Sequence, residues 1–520
     1  MNNDRRQKVF LGTTSSYLGI LITNLVAVTT VPITLNYFGT ERYGALALIM
    51  TLVNYLSVTN FGIPTACAML AAKSLDRKEQ LGIVCRSFLL LTGISLAVLV
   101  FFLVAAENPA WIQILGQIPT EISNEVRQAA FWTAVLFLLN LLCTPFLAGF
   151  IAIQKVHLER FYVTLTTNSY VVALLGTMFF KGTLVDYAIA RGGLVLLCGV
   201  AGMVHFLYGY RQHRSIFKDG LRQLLKTRGE EEFGTGSILA TGGRMFIVGL
   251  AALVVWQTDN LVISHFWGVG AVTPYQVTFK LITMLFIVFT AVNPALSPHY
   301  GQAWVTGDTP WIMGTYNQVA RVSSILGGLV WVGSIAFAET VVNIWTGPAA
   351  YGGGLVVFAL GGYGYLLSLV SVHASLLSSL NLVRNLPIIS WLEAGVNLPL
   401  SIVLAKSLGM GGVALGTFIA SLTTVFWLIP QEIERRTESK IQFDWRPLAG
   451  QFCIILFPAL SAVLLTNHFI ADGLTRLSIN AAIVAVYLLF SFVRLPEDVR
   501  GLVVTLLAKY LNCLKRKGEW

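Results

Sequence analysis

Residues 241–266 read TGGRMFIVGLAALVVWQTDNLVISHF, an apolar run that carries Arg244 near one end and Asp259 near the other. As an α-helix this run would be about 39 Å long, which is enough to cross the hydrocarbon core of a bilayer. Similar runs recur along the whole chain. The sequence therefore predicts an all-α integral membrane protein.

The composition supports this class. Of the 520 residues, 55% are hydrophobic and 12% are charged, whereas a soluble domain carries about 25% charged residues. The basic N-terminus is followed by an apolar run that continues to about residue 36, which is too long for a signal peptide and predicts an uncleaved first span. The six cysteines are scattered, so we expect no disulfide framework and no metal site.

Hydropathy predicts about fourteen transmembrane helices. The segment after them, 497–514, is predicted to be an amphipathic helix on the membrane surface. The predicted spans are 10–36, 43–70, 84–105, 128–151, 160–180, 187–209, 236–265, 273–298, 317–339, 352–378, 385–405, 409–430, 449–467 and 475–493.

The distribution of basic residues gives the orientation of these spans. With the N-terminus in the cytoplasm, 26 of the 35 Lys and Arg residues fall in cytoplasmic tails and loops, and five fall outside. Cytoplasmic loops carry such an excess of positive charge. If one span had been missed, every later loop would lie on the opposite side of the membrane and the excess would disappear. Both termini are therefore predicted to be cytoplasmic, and the net charge of +10 indicates membrane sidedness and no nucleic-acid partner.

The chain resembles itself at an offset of about 230 residues. NYFGTERYGALALIMTLVNY (36–55) aligns with SHFWGVGAVTPYQVTFKLITML (264–285), and a proline follows about twenty residues later in each copy, at Pro64 and Pro294. The offset spans six predicted helices, so the two copies have the same orientation. This pattern predicts two parallel six-helix lobes around a central cavity, which is the architecture of an alternating-access transporter.

The repeat sets the predicted domain boundaries. Two further helices follow the second lobe, and the C-terminus is a basic tail. The predicted domains are an N-lobe at 1–210, a cytoplasmic linker at 211–235, a C-lobe at 236–431, the two appended spans at 432–495, and the tail at 496–520.

Three stretches resemble the polysaccharide flippases of the multidrug/oligosaccharidyl-lipid/polysaccharide (MOP) superfamily, the Wzx-type O-antigen and capsule flippases. LNYFGTERYGALALIMTLVNYLSVTNFGIPTA (35–66) is similar to their first hairpin. QTDNLVISHFWG (257–268) is similar to the start of their second lobe, and LEAGVNLPLSIVLAKSLGMGGVALGTFIAS (392–421) to their eleventh and twelfth spans.

This resemblance implies a function. The cargo would be an undecaprenyl-pyrophosphate-linked oligosaccharide, moved from the cytoplasmic to the outer leaflet of the bacterial inner membrane. The expected protein partners are a polysaccharide polymerase and a chain-length regulator. Because the predicted cavity lies within one chain, we expect a monomer.

Charged residues inside the spans are candidates for the cargo and coupling sites. Such residues are costly in lipid and face a partner or a water-filled cavity. Arg244 and Lys280 would bind the pyrophosphate, for which guanidinium and ammonium groups are suited. Asp259 lies at a depth close to that of Lys280 and would be an ion-coupling carboxylate for H⁺ or Na⁺, with no other cofactor. Two alternatives stay open: Asp259 and Lys280 form a structural pair, and Arg244 extends to the cytoplasmic interface.

Other polar residues fall within the spans. Glu393 is a second ion-coupling candidate, with a structural hydrogen bond as its alternative. The first lobe carries the amides Asn24, Asn54 and Asn60, which could contact sugar hydroxyls; hydrogen bonds between helices are the alternative for all three, and Asn24 and Asn54 are the candidates for the sugar site. For Arg191 and Arg321, at span ends, the sequence favours side chains that extend to the interface.

Three alternative functions differ in the residues that they require. A MATE-type antiporter of cationic drugs would not suit a cavity lined with Arg and Lys, whereas a lipid II flippase would carry a chemically similar cargo. A membrane enzyme such as an O-antigen polymerase or ligase needs acid or cationic residues in a long outer loop, and loop 106–127 has no histidine. The sequence therefore predicts a transporter that is not an enzyme.

Overall fold

The computed structural model describes residues 3–74, 76–153, 155–209, 234–290, 293–495 and 500–501. Within these ranges the chain is helical and has no strand. The helices are α1 (Asn3–Ser57), α2 (Ile63–Lys73), α3 (Arg77–Glu107), α4 (Thr120–Leu141), α5 (Thr144–Ala152), α6 (Val156–Phe179), α7 (Leu184–Gly209), α8 (Thr235–Trp267), α9 (Val269–Thr290), α10 (Asn293–Thr306), α11 (Thr309–Trp345), α12 (Gly354–Ser379), α13 (Leu386–Leu408), α14 (Met410–Thr423), α15 (Val425–Arg436), α16 (Trp445–Gln451), α17 (Phe457–Phe469) and α18 (Gly473–Arg494).

The chain is a multi-pass membrane protein. Among the described residues, ten helices are long and apolar enough to cross a membrane. The number becomes eleven if the segments Ile22–Asn60 and Ile63–Ala72, bent by 47°, form one broken span. The all-α membrane class is thereby confirmed, while the total of fourteen spans stays a prediction. The predicted surface helix at 497–514 lies almost wholly outside the described residues.

Several predicted spans are divided in two by prolines. The span predicted at 128–151 consists of α4 and α5, and Pro145 lies in the first turn of α5. The span at 449–467 contains a π-helical turn, Phe452–Leu456, before Pro458 in the first turn of α17. Proline has no N–H to donate and crowds the preceding turn, so these breaks follow directly from the sequence.

The internal repeat is visible at two glycine turns. Gly39 interrupts α1 with φ 79° and ψ 172°, and Gly268 separates α8 from α9 with φ 81° and ψ 172°. Each glycine follows an aromatic residue, Phe38 or Trp267, in the two aligned segments. A positive φ is accessible to glycine at little cost, so the same residue type gives the same backbone turn in both copies.

Packing divides the chain into two compact units, Met1–Gln276 and Val277–Trp520. The division falls within α9, so α8 packs in the first unit, against α1 and α2. The linker that the repeat predicts at 211–235 lies almost entirely outside the described residues. The predicted lobe boundaries therefore stay a prediction.

The first unit has an apolar core where α2, α3 and α5 meet. Ile63, Cys67, Cys85 and Phe146 are buried there. The contact between α2 and α8 includes two glycines at close range, since a Cβ on Gly62 would lie 2.4 Å from the carbonyl oxygen of Gly242. The backbones of the two helices therefore touch, as small residues allow in membrane helix pairs.

In the second unit, α17 and α18 are attached to α11 by side-chain hydrogen bonds to backbone carbonyls. Asn467 Nδ2 donates to Ile335 O at 2.9 Å, and Asn480 Nδ2 donates to Ala336 O at 3.2 Å. Tyr487 donates to Ile325 O at 2.9 Å. These bonds fix the two appended helices on one helix of their own unit.

We predict that Gly242→Ala destabilises the protein, because its Cβ would lie 2.6 Å from the carbonyl oxygen of Phe61. Overpacking of this kind costs about 1–3 kcal/mol. The melting temperature of the purified protein in detergent should fall by several degrees. Gly243→Ala is the matched control, since nothing lies within 4 Å of its Cβ; equal melting temperatures for the two variants would contradict the close helix contact.

Candidate functional site

The structure places the predicted site residues in both units. Asn24, Asn54 and Asp259 lie in the first unit, and Lys280 and Glu393 lie in the second. Arg244 belongs to α8, but its side chain lies outside the described residues. The pairing of Asp259 with Lys280 would join the two units and stays a prediction.

Among the predicted charged residues whose side chains the structure describes, Asp259 is the most buried, with 6% of its surface exposed. The hydroxyl of Tyr275 donates a hydrogen bond to Asp259 Oδ2 at 2.5 Å. Because a buried carboxylate needs partners to offset lost hydration, this bond holds Asp259 at the contact between α8 and α9. Tyr275 aligns with Tyr43 in the two repeats, but the alignment alone does not indicate that Tyr275 bonds Asp259.

Asn260, the residue after Asp259, also bonds α9 at the contact between α8 and α9. Gln276 Nε2 donates to Asn260 Oδ1 at 2.5 Å, and Asn260 Nδ2 donates to Thr51 Oγ1 at 3.0 Å. Two consecutive residues of α8 thus bond two consecutive residues of α9, and Asn260 also bonds α1 through Thr51. The two partners of each pair are sixteen residues apart in the sequence. The turn at Gly268 lies between them and brings them together.

Glu393 lies in a polar seam between α13 and α14. Glu393, Asn397 and Ser401 recur every four residues and so share one face of α13. Ser421 Oγ donates to Glu393 Oε1, and Asn397 Nδ2 donates to Thr417 Oγ1 at 2.8 Å. The sequence singles out Glu393 as a carboxylate in a span, but it does not single out the hydroxyls of Thr417 and Ser421 in α14.

One atom of this seam has no hydrogen-bond partner. Asn397 is fully buried, and its Oδ1 accepts no hydrogen bond. A carboxylate, an amide carbonyl and two hydroxyls are the oxygen groups that hard cations bind in proteins. A carboxylate bonded to a hydroxyl can equally carry a proton. The seam therefore offers oxygen atoms suited to either coupling ion, H⁺ or Na⁺.

The amides of α1 differ in their surroundings. Asn24 and Asn54 are half-buried, which leaves part of each side chain accessible. Asn60 Oδ1 accepts a hydrogen bond from Gly62 N at 2.7 Å, at the break between α1 and α2. Asn60 therefore makes a local hydrogen bond at this break, and its contact with a sugar or with another helix stays a prediction.

Arg191 contacts side chains of its own unit. Its Nη1 is 2.8 Å from Met50 Sδ of α1, and its guanidinium carbon is 5.9 Å from the ring centroid of Tyr170 of α6. It also bonds the hydroxyl of Tyr187. These contacts depend on side-chain direction, which the position near a span end does not reveal.

The family follows from a comparison of sequences. The profile of the family described as "Polysaccharide biosynthesis protein" matches residues 9–304. The chain belongs to this family. A protein of Salmonella typhimurium named "Putative O-antigen transporter" is 23% identical over 426 residues, which cover 80% of this chain and 94% of that protein. "Uncharacterized membrane protein EpsK" of Bacillus subtilis is 20% identical over 457 residues, 86% of this chain and 88% of that protein.

Solved structures share the fold. "Lipid II flippase MurJ, inward closed conformation" has a TM-score of 0.62 at 14% identity and covers 92% of this chain and 98% of its own. An inward-facing multidrug resistance MATE transporter of the MOP superfamily has a TM-score of 0.62 at 15% identity, with 82% and 95% covered. The resemblance to Wzx-type flippases of the MOP superfamily is confirmed by the family and this fold.

We predict that Tyr275→Phe lowers stability because it removes a hydrogen bond to the buried Asp259 carboxylate. A hydrogen bond to a charged group contributes about 1.5–3 kcal/mol, so the melting temperature should fall measurably. Tyr300→Phe is a matched control, since Tyr300 is equally buried and its hydroxyl has no hydrogen-bond partner. A Tyr275→Phe variant as stable as Tyr300→Phe would argue against the bond.

Proposed function

We propose that this protein is a flippase that moves a lipid-linked oligosaccharide, carried on undecaprenyl pyrophosphate, from the cytoplasmic to the outer leaflet. The observation that carries the proposal is the family match over residues 9–304. The fold common to a lipid II flippase and MATE transporters supports transport by alternating access. A transporter of this family performs no covalent chemistry, so the protein is not an enzyme.

The cargo proposal rests on the charges within the spans. Arg244 and Lys280 would bind the pyrophosphate, and the half-buried Asn24 and Asn54 would contact the sugars. Arg191 adds a guanidinium inside the first unit, held by aromatic and sulfur contacts. Charge-assisted hydrogen bonds to phosphate are about twice as strong as neutral ones, so this set of residues favours an anionic cargo.

The MATE-type antiporter is the second candidate, supported by the shared fold. Basic residues in the spans disfavour cationic cargo by like-charge repulsion. A lipid II flippase would be compatible with the same charges. The relatives named as O-antigen transporters favour a polysaccharide precursor over lipid II as the cargo.

The coupling ion is proposed to bind at Glu393, with Asp259 as a second coupling carboxylate. The seam of Asn397, Thr417 and Ser421 supports Glu393, because Asn397 Oδ1 is buried and without a partner. Loading with Na⁺ or H⁺ would neutralise the carboxylate and change which packing of α13 and α14 is preferred.

The cellular setting follows from the same proposal. The protein acts in the bacterial inner membrane with both termini in the cytoplasm, as a monomer. Its expected partners are a polysaccharide polymerase and a chain-length regulator, which act on the flipped cargo.

The first functional prediction concerns transport of an anionic probe. In proteoliposomes, a polyprenyl-pyrophosphate oligosaccharide with a fluorescent sugar should become accessible to a membrane-impermeant quencher. Arg244→Ala and Lys280→Ala should each slow this about tenfold or more, since a hydrogen bond to a charged group contributes about 1.5–3 kcal/mol.

Two controls accompany this assay. Lys406→Ala removes an exposed lysine in the last turn of α13 and should leave the rate unchanged. A glycolipid without pyrophosphate should not be transported. Equal rates for both lipids would contradict the anionic cargo.

The second functional prediction concerns coupling. Glu393→Gln should abolish stimulation of flipping by an imposed Na⁺ or pH gradient, because the amide neither binds a proton nor carries charge. Glu339→Gln is the matched control, as Glu339 is half-exposed and paired with Arg476 at 3.4 Å. Gradient stimulation that survives in Glu393→Gln would show that Glu393 does not couple the ion.

A further inference from the structure

Arg321 lies on the face of α11 that meets α16 and α18, within the second unit. One turn earlier, Asn317 Oδ1 accepts a hydrogen bond from Asp444 N at 2.9 Å, just before α16 begins. One turn later, Ile325 O accepts the hydrogen bond from Tyr487 of α18. Residues four apart share one face of a helix, so Arg321 lies between these two contacts.

Arg321 and Ser491 lie at the same level of this junction. The helices α11 and α18 are antiparallel, since Asn480 and Tyr487 of α18 bond successively earlier carbonyls of α11. Arg321 is four residues before Ile325, and Ser491 is four residues after Tyr487. Each is therefore about 6 Å along its helix from the Tyr487 bond, in the same direction.

Three polar groups at the junction are buried and have no hydrogen-bond partner among the described residues. They are Nε of Arg321, Nε2 of Gln451 at the end of α16, and Oγ of Ser491. Gln451 is 4% exposed and Ser491 is 1% exposed, and both adjoin the hydroxyl of Tyr487. Guanidinium and amide N–H groups donate, and a hydroxyl can donate as well. The junction therefore presents several buried donors that lack an acceptor.

The helices that form the junction carry almost no acidic residue. The sequences of α16, α17 and α18 contain no Asp or Glu. In α11 the single acidic residue is Glu339, which is about 27 Å along the helix from Arg321 and is paired with Arg476 at 3.4 Å. Asp444, before α16, accepts a hydrogen bond from Arg446 N. A guanidinium stays charged, and a buried charge without a counter-ion is costly, so the junction favours an external anion.

Two exposed arginines lie at the same end of the junction. Arg494 follows Ser491 by three residues, and its Nη1 would lie 3.8 Å from a Cβ on Gly450 of α16. Arg446 is one turn before Gly450 and shares its face. Both arginines are exposed, and the positive-inside orientation predicts that they lie at the inner membrane surface. Three apolar side chains near the end of α18 are also exposed: Leu489, Phe490 and Val493.

We propose that the junction of α11, α16 and α18 binds the phosphate group of an anionic phospholipid of the inner leaflet. The phosphate would accept hydrogen bonds from Arg321, Gln451 and Ser491, and the exposed arginines would attract it. The acyl chains would lie along the exposed apolar side chains of α18. Basic sites between membrane helices on the cytoplasmic side suit such headgroups. The site contains none of the proposed cargo residues, so the proposal does not depend on the proposed function.

The first experiment measures the melting temperature of the purified full-length protein in detergent as lipid is added. Dioleoyl phosphatidylglycerol should raise the melting temperature by several degrees and to saturation, because a ligand that binds the folded state stabilises it. Dioleoyl phosphatidylcholine, which has no net charge, should raise it much less. Arg321→Gln should lose most of the phosphatidylglycerol effect, because the buried cation is gone.

Arg384→Gln is the matched control, since Arg384 is an exposed basic residue of the same unit outside the junction. It should keep the full phosphatidylglycerol effect. Gln451→Met keeps the charge of Arg321 and should weaken the effect, and it decides the question if Arg321→Gln does not fold. Shifts in Arg321→Gln and Gln451→Met as large as in Arg384→Gln would overturn the proposal.

Inorganic phosphate distinguishes a lipid from a free anion. It should not stabilise the protein at concentrations at which phosphatidylglycerol saturates, because it gains nothing from the exposed apolar side chains. If inorganic phosphate stabilises the wild type as much as phosphatidylglycerol does, and has no effect on Arg321→Gln, the junction binds a free anion and the lipid assignment is overturned.

The melting temperature without added lipid tests whether Arg321 has a counter-ion within the protein. Arg321→Gln should then melt no lower than the wild type, because the substitution removes an unpaired buried charge. Glu497 and Asp498, which follow α18, lie outside the described residues. Neutralising both, as Glu497→Gln with Asp498→Asn, should leave the melting temperature and the phosphatidylglycerol effect unchanged. A lower lipid-free melting temperature in both Arg321→Gln and this double variant would assign the counter-ion to residues 497–498 and contradict the lipid site.

Discussion

The hydrocarbon core offers no water to a polar group, so every polar side chain placed there must find a partner in the protein or face a cavity. Several specific contacts in the described residues follow from this constraint. Tyr275 donates a hydrogen bond to Asp259, and Ser421 donates one to Glu393. Asn467 and Asn480 donate hydrogen bonds to backbone carbonyls of α11. Because apolar helices gain little from burial against each other in lipid, these bonds and the glycine contacts select which helices are neighbours.

The same constraint explains what could be predicted from the sequence. Apolar length gives the membrane class and approximate span positions, and Pro145 and Pro458 mark breaks because a missing N–H acts locally. The correspondence of Gly39 and Gly268 was visible as an aromatic-glycine pattern and proved to be one backbone turn used twice. Local signals of this kind do not depend on the rest of the fold.

The partners of the charged residues could not be predicted in the same way. Tyr275 reaches Asp259, and Arg191 turns toward Tyr170 and Met50, because of the rotation of each helix about its axis and its depth. Hydrophobic periodicity is weak in helices that are apolar on all sides. It therefore predicts neither the rotation of a helix about its axis nor the depth of the helix in the membrane. Glu393 was found because a carboxylate in a span is conspicuous, whereas the hydroxyls opposite it resemble many others.

Among the described residues, a carboxylate in each unit accepts a hydrogen bond from a hydroxyl: Asp259, which is buried, in the first and Glu393, which is partly buried, in the second. Cationic residues lie elsewhere on the same or adjoining helices. This separation suits a transporter in which ion binding changes helix packing while other residues bind the cargo.

The most direct test of the cationic cargo site is a cysteine-accessibility scan with single cysteines at positions 244, 259, 280 and 393. We expect positions 244 and 280 to be labelled by a small impermeant thiol reagent and protected by a pyrophosphate-linked oligosaccharide. If both stay unlabelled in every energised state while control sites react, these residues are buried structural groups and the cationic cargo cavity is contradicted.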